Sequence, residues 1–173
     1  MNDPAPGQGI GKGMLILGWV LVLAALTMFF ANWEENQRNP NAQLTGTSAG
    51  GVNEVILKAN QQHHYIAPGA INKEPVTLLL DTGATDVAVP GHLADRLGLQ
   101  AIGKGYANTA NGTAEIYFTT IEELTLGSLT FHDLRASISP GIEGDEVLMG
   151  MSALRQVEMI QRDGQLILRQ YPQ

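Results

Sequence analysis

Cysteine is absent from this 173-residue chain. That removes disulfides, thiolate nucleophiles and cysteine-based zinc sites together, and it leaves the redox compartment open. Cations are scarce as well: 10 Lys and Arg stand against 17 Asp and Glu, the formal net charge is −7, and no Lys/Arg cluster occurs. A protein that grips a nucleic-acid backbone needs such a cluster, so no nucleic-acid partner is expected. No Ser-His-Asp arrangement, phosphate loop or nucleotide fingerprint is visible, no cofactor is implied, and no period of 20 to 50 residues marks a solenoid. His63 and His64 are adjacent, but on a strand neighbouring side chains point to opposite faces and no third ligand is spaced to join them. They read as a solvated loop, and no metal is expected.

What is present is a chain 44% hydrophobic with 20 glycines, which suits one β-rich domain plus extra segments. Its one long apolar run is Met14 to Ala31, MLILGWVLVLAALTMFFA, without a charge. At about 1.5 Å per residue it reaches roughly 27 Å, close to the hydrocarbon thickness of a bilayer. It is apolar on every side, which predicts a transmembrane helix over 14–31 behind a tail at 1–13. A cleaved signal peptide is the rival reading; the run is longer than a usual signal core, and no small-x-small site follows it, since Phe29 stands two residues before Ala31. Lys12 precedes the span and Arg38 follows it, so the charge rule leaves orientation near a tie, and Trp33 reads as an interfacial anchor. Residues 32–51 are polar, carry Pro40 and close on Gly50-Gly51, and are expected to be a flexible linker.

Residues 52–173 then form a domain of short strands. EVILKA (54–59), HYIAPGAI (64–71) and PVTLLL (75–80) are rich in branched residues, and the gap at 72–74 predicts a hairpin that leads to Asp81. Leu93, Ala94 and Leu97 with Gly98 as a stop predict a short helix over 90–99. Turns at Asn111-Gly112 and Gly127-Ser128 divide a set of antiparallel strands, and Asp163-Gly164 between apolar stretches is the strongest short hairpin signal in the chain.

Asp81 stands out because an unpaired carboxylate at the end of an apolar strand is expensive unless it is shared with a partner or a reaction. Gly83 permits a tight turn that presents the carboxylate, and the Thr82 hydroxyl can bond neighbouring backbone to fix that turn. Ala84 is small enough to let another chain or a substrate approach. A turn-capping aspartate is the plain alternative, since Asp, Thr and Gly are all turn residues.

The string Asp81-Thr82-Gly83-Ala84 after an apolar strand resembles the active-site signature of retropepsin-like aspartic proteases. Leu148-Met149-Gly150 resembles their second apolar-apolar-Gly element, and the segment 108–114, with Ala110, Asn111 and Gly112 at its centre, lies where such enzymes carry a flap. A short helix over SALRQ follows the second motif, as it does in them. With its single apolar span the chain is similar to a bacterial membrane-anchored, single-domain group. The resemblance implies a mainly β fold, a closed barrel or sandwich with one or two short helices, preceded by one transmembrane helix. It makes Asp86 a substrate-pocket candidate, although a solvated strand-end acid fits that residue as well; Asp145 and Glu146 read as an exposed loop.

Aspartic proteolysis needs two close carboxyl groups sharing one proton, one acting as base on a water while the other polarises the scissile carbonyl. The chain has one Asp-Thr-Gly, and Asp163-Gly164 lacks the preceding apolar strand. The resemblance therefore implies a homodimer in which each copy contributes Asp81, acting on a protein or peptide substrate. It also implies a bacterial inner-membrane protein whose catalytic domain is periplasmic. A catalytically silent domain of the same fold, used for binding or assembly at the membrane, is the alternative.

Overall fold

A computed structural model of the chain describes residues 8–109 and 112–172. Two compact units are present, Met1–Gln37 and Arg38–Gln173. The first is built on helix α1 (Gln8–Arg38), whose stretch Gly13–Ala31 is the one helix among the described residues long and apolar enough to cross a membrane. By length and composition it is a candidate membrane span or signal sequence. Its large apolar side chains, from Met14 to Phe30, are all exposed. Thr27, polar in this setting, turns its hydroxyl back onto the Leu23 carbonyl at 2.8 Å, so its donor is satisfied within the helix.

The second unit is mainly β. A seven-stranded sheet contains β3 (Ile66–Ile71), β4 (Glu74–Leu80), β5 (Val87–Pro90), β6 (Gly103–Thr109), β7 (Gly112–Leu126), β8 (Leu129–Ser139) and β9 (Glu146–Met149). Their spatial order is β3-β4-β9-β5-β8-β7-β6, and a further pairing of β3 with β7 closes the first six into a barrel. A four-stranded antiparallel sheet adds β1 (Gly46–Ala49), β2 (Val52–Lys58), β10 (Glu158–Arg162) and β11 (Gln165–Gln170), in the order β1-β2-β11-β10. Between β9 and β10 lies one short helix, α2 (Met151–Leu154). One core joins these elements, with Leu57, Leu78, Leu124, Phe131, Met149 and Leu168 all buried.

Strands β3 and β4 form the expected hairpin, Ile71 opposite Glu74. The hairpin at Asp163-Gly164 is also present, with both residues at positive φ, 51° and 73°, the left-handed pair that a two-residue turn requires. Two sequence expectations differ from the structure. The segment 90–99 is not a regular helix: a 3-10 turn, Gly91–Leu93, is followed by the bonds Gly98 N to Asp95 O and Leu99 N to Ala94 O around Gly98 at φ 68°. That is a helix-ending motif with little helix before it. Leu93, Ala94 and Leu97 are nevertheless buried as their spacing requires.

The stretch 32–51, expected to be a flexible linker, holds structure at both ends. Helix α1 continues to Arg38 and β1 pairs with β2, Gly46 opposite Val55. Between them Asn41 is buried; its amide donates to the carbonyls of Lys58 (3.0 Å) and Ile66 (2.7 Å) and its oxygen accepts from Lys58 N at 2.7 Å. A polar composition concealed a side chain that satisfies backbone groups where β2 and β3 diverge.

Candidate active site

Two apolar strands set the position of Asp81. β4 and β9 run parallel, Leu80 beside Met149, so their C-terminal ends emerge together. Asp81 leaves β4 and Gly150 leaves β9 at the same level, and Asp81 N donates to Met149 O at 3.1 Å. The chain then turns through residues 81–86 into β5, which pairs antiparallel with β9, Ala88 opposite Leu148. A carboxylate is thereby held half-buried at the end of a buried sheet.

Short main-chain bonds shape the turn. Gly83 N donates to Asp81 Oδ1 at 2.8 Å, and Ala84 N donates to Asp81 O at 3.3 Å. A side chain at Gly83 would place its Cβ 3.1 Å from the same carboxylate oxygen. From the other side, Met151 N donates to Ala84 O (2.8 Å) and Ser152 N to Thr85 O (2.9 Å). Gly150 permits this approach: a Cβ there would lie 2.2 Å from Asp86 O and 2.7 Å from Ala84 O. The glycine of the apolar-apolar-Gly motif is thus required by backbone packing against the Asp81 turn.

Two residues not singled out in the sequence complete the support. Ser152 is buried, its hydroxyl accepting from Val87 N (3.0 Å) and donating to Arg135 O (2.8 Å). The Arg135 guanidinium in turn donates to Asp86 Oδ1 through Nη2 at 2.8 Å and Nε at 3.2 Å. Asp86 immediately precedes β5, and its carboxylate is occupied by Arg135 rather than simply solvated. A serine in a short helix and an arginine on a distant strand carry no local signal of this arrangement.

Other sequence-selected residues fall as follows. Thr82 is exposed and makes no side-chain hydrogen bond among the described residues, so it does not fix the turn within its own chain. Leu148 is half-buried and Met149 fully buried. Gly112 stands opposite Thr109 at the end of the β6–β7 hairpin and accepts from the Thr109 hydroxyl at 2.8 Å. Ala110 and Asn111 lie outside the described residues. His63 and His64 are exposed, and among the described residues no cluster of His, Cys, Asp and Glu could hold a metal. Asp145 is exposed and pairs with His92 Nε2 at 2.8 Å, whereas Glu146, expected in a loop, begins β9 opposite Thr77.

The β6–β7 hairpin carries a charged network that the sequence did not single out. Lys104 Nζ lies 2.6 Å from Glu115 Oε2, and the Tyr117 hydroxyl donates to Glu115 Oε1 at 2.6 Å. Its hydrogen bond from Lys104, then that from Tyr117, holds the Glu115 carboxyl below its ordinary range. Bonding to Glu115 raises Lys104 and Tyr117 above theirs.

Comparison with known proteins agrees with this architecture. The model of the family described as "gag-polyprotein putative aspartyl protease" matches residues 67–156, more than half of the chain, from within β3 to just past α2. The chain belongs to the retropepsin-like aspartic protease family. An uncharacterized protein in the cobV 5′ region of a Sinorhizobium species is 27% identical over 176 residues, covering 94% of this chain and 74% of that protein. An uncharacterized protein of Rickettsia prowazekii is 25% identical over 123 residues, 69% of this chain and 52% of that protein. The crystal structure of a retropepsin-like aspartic protease from Rickettsia conorii matches with a TM-score of 0.57 at 22% identity, over 74% of this chain and 94% of that one. That last likeness is one of fold.

Proposed function

We propose that the chain is a membrane-anchored aspartic endopeptidase, active as a homodimer in which each copy supplies one catalytic Asp81. The observation that carries this reading is the turn itself: a half-buried carboxylate at the end of β4 that accepts from Gly83 N, on a turn held by Asp81 N donating to Met149 O and by Met151 N and Ser152 N donating to Ala84 O and Thr85 O. Two such carboxylates facing each other across a twofold axis share one proton, because like charges that close do not both ionise. The ionised one takes a proton from a water as that water attacks the scissile carbonyl, while the protonated one donates to the carbonyl oxygen. As the C–N bond breaks, the proton taken from the water passes to the leaving amine and a hydroxyl of the diol returns its proton to the other carboxylate, so the shared-proton state is restored. Thr82, exposed on the same turn, has a hydroxyl free to bond the second copy.

Around this centre, residues 52–173 act as the protease domain, Ala84 keeps the approach to the carboxylate open, and the β6–β7 hairpin, ending at Thr109 and Gly112 among the described residues, covers bound peptide as a flap. Asp86, held by Arg135, borders the pocket. The N-terminal helix confines both copies to one membrane plane, which raises their effective concentration, and places the protease domain on the periplasmic side of a bacterial inner membrane.

The test is Asp81→Asn in the full-length chain. Asn keeps an oxygen to accept from Gly83 N, so fold and association persist while the base is lost. Cleavage of a denatured protein substrate should fall by about 100-fold or more, and an aspartic-protease inhibitor should stop the wild type alone. Excess Asp81→Asn should also poison wild-type activity through mixed dimers. Equal cleavage by mutant and wild type would remove Asp81 as the base, and no cleavage by either would leave a silent domain of the same fold.

A further inference from the structure

The ends of four adjacent strands fall into one row beside Asp81. Leu80 of β4 pairs with Met149 of β9, Leu148 of β9 with Ala88 of β5, and Val87 of β5 with Ala136 of β8. One residue beyond the level of Leu80, Met149, Val87 and Ala136, the same register aligns Asp81, Gly150, Asp86 and Arg135. The inner row turns to the core, where Met149, Val87 and Ala136 are buried. Side chains alternate along a strand, so Asp81, Asp86 and Arg135 project from the opposite face. No side chain stands between the two acids, because Gly150 occupies that place. Behind them on the same face lie Leu79, Leu148 and Ala88, all half-buried. An apolar floor is thus bounded at one end by the proposed base and at the other by an ion pair.

The two members of that pair are unequally placed. The Arg135 side chain is 67% exposed and that of Asp86 19%. Both bonding donors of the guanidinium, Nε and Nη2, go to Asp86 Oδ1, and Nη1 makes no hydrogen bond among the described residues. A peptide laid along the floor therefore meets the guanidinium before the carboxylate. Asp86 taken alone, as a pocket acid, would favour a basic side chain; its occupation by Arg135 reverses the sign. A guanidinium carries five donors in a fixed fork and can serve two carboxylates together. Here one is already in place, and the Ser152 hydroxyl holds the main chain beneath by donating to Arg135 O at 2.8 Å. The cation is ordered before any ligand arrives, which lowers the cost of binding one.

We infer that Arg135 is a specificity-determining residue that selects substrates carrying an Asp or Glu about three residues from the scissile bond. The inference rests on the protease reading above and deepens it by naming a substrate class. Its distance follows from the row. Neighbouring strands lie about 4.8 Å apart, so Asp86, where the guanidinium is held, stands two spacings or about 10 Å from Asp81, and an extended peptide advances about 3.3 Å per residue. In the proposed homodimer each copy brings its own Arg135, one on either side of the bond. The chain as a whole carries −7 and repels acidic peptides at long range, so the preference is local to this one side chain. An exposed pair such as Arg135 with Asp86 contributes little to folding, which leaves it open to substitution.

The test uses the full-length chain in membranes and a peptide library made by digesting a proteome, with cut sites read by mass spectrometry. Cuts that vanish in Asp81→Asn should be enriched in Asp or Glu about two to four residues from the scissile bond. For a peptide taken from those cuts, kcat/KM of the Glu form should exceed that of its Gln counterpart about tenfold, with the difference in KM. Arg135→Gln should bring that ratio near unity, and Arg135→Lys, which keeps the charge without the fork, should restore part of it. A pair that merely supports the fold would lower both peptides alike and keep the ratio. Exchanging the partners, Asp86→Arg with Arg135→Asp, should turn the preference toward Lys. Asp81-dependent cuts without acid enrichment, a wild-type preference for Lys or Arg at these positions, or a ratio unmoved by Arg135→Gln would overturn the inference and leave the protease reading standing. The absence of any Asp81-dependent cut would remove that reading and this one with it.

Discussion

Around Asp81 the chain is tied by main-chain groups against main-chain groups, while the β6–β7 hairpin is tied by charged side chains in water. The first region has a glycine where a methyl would strike two carbonyls, a buried serine between two strands, and amides of α2 donating into the turn. The second has Lys104, Glu115 and Tyr117 on an exposed strand pair, with Thr113 donating to Asn108 at 3.3 Å nearer the tip. Buried backbone bonds have no solvent substitute when broken, whereas exposed ion pairs trade with water at little net gain. A hydrolase of the proposed kind needs both behaviours: carboxylates that do not wander and a cover that opens.

Gly150→Ala should break the contrast most severely. Its Cβ would lie within 3 Å of Asp86 O and Ala84 O, backbone atoms that cannot swing aside. Thermal or urea unfolding should report a loss of about 3 kcal/mol or more, together with loss of cleavage. A variant as stable as wild type would mean that the turn is not clamped as described.

Ser152→Ala should cost less, about 1–3 kcal/mol, because it leaves Val87 N without its acceptor and Arg135 O without its donor in a buried site. Cleavage should fall with stability, and Ser152→Thr, which keeps the hydroxyl, should recover part of both. An alanine variant with unchanged unfolding would show that water replaces the hydroxyl.

Glu115→Gln should have the smallest effect, and one that depends on pH. The folded carboxyl is held below its ordinary value, so its contribution is present above the unfolded value of 4.5 and lost as pH falls through the lower folded value. Lys104, raised above 10.5, contributes below that pH and loses its part as pH rises through the folded value. Protection of the amides along β6 and β7, taken relative to their intrinsic exchange rates at each pH, should therefore be high at neutral pH, fall in acid for the wild type, and be less pH-dependent in Glu115→Gln. Identical acid profiles for the two chains would remove Glu115 as the tie.

Local chemistry made much of the fold legible. The Asp163-Gly164 pair, the apolar β4 run, Gly98 as a stop and the uncharged span Met14–Ala31 each act through a few neighbouring residues, and each marks its element. Where alternation itself changed, pattern was less informative. In β8 the buried positions shift from Leu129 and Phe131 to Leu134, Ala136 and Ile138, with Asp133 between them at φ 49°, so a strand that serves both faces of the barrel shows no single period. Asn41 was missed because one buried amide in a polar segment looks like its solvated neighbours.

Composition and order determined by themselves that the chain has one apolar helix, a β-rich unit and a single Asp-Thr-Gly at the end of an apolar strand, since helical and strand periods, turn glycines and hydrophobic runs are properties of adjacent residues. Only the tertiary structure decided that β4 and β9 end side by side, that Gly150 must have no side chain, that Arg135 takes Asp86, and that Glu54, Arg169 and Glu158 form one ladder ending at an edge. Each of these joins residues between about 10 and more than 100 positions apart. Such contacts depend on strand order and register, which emerge when the chain closes on a common core and which no local preference specifies.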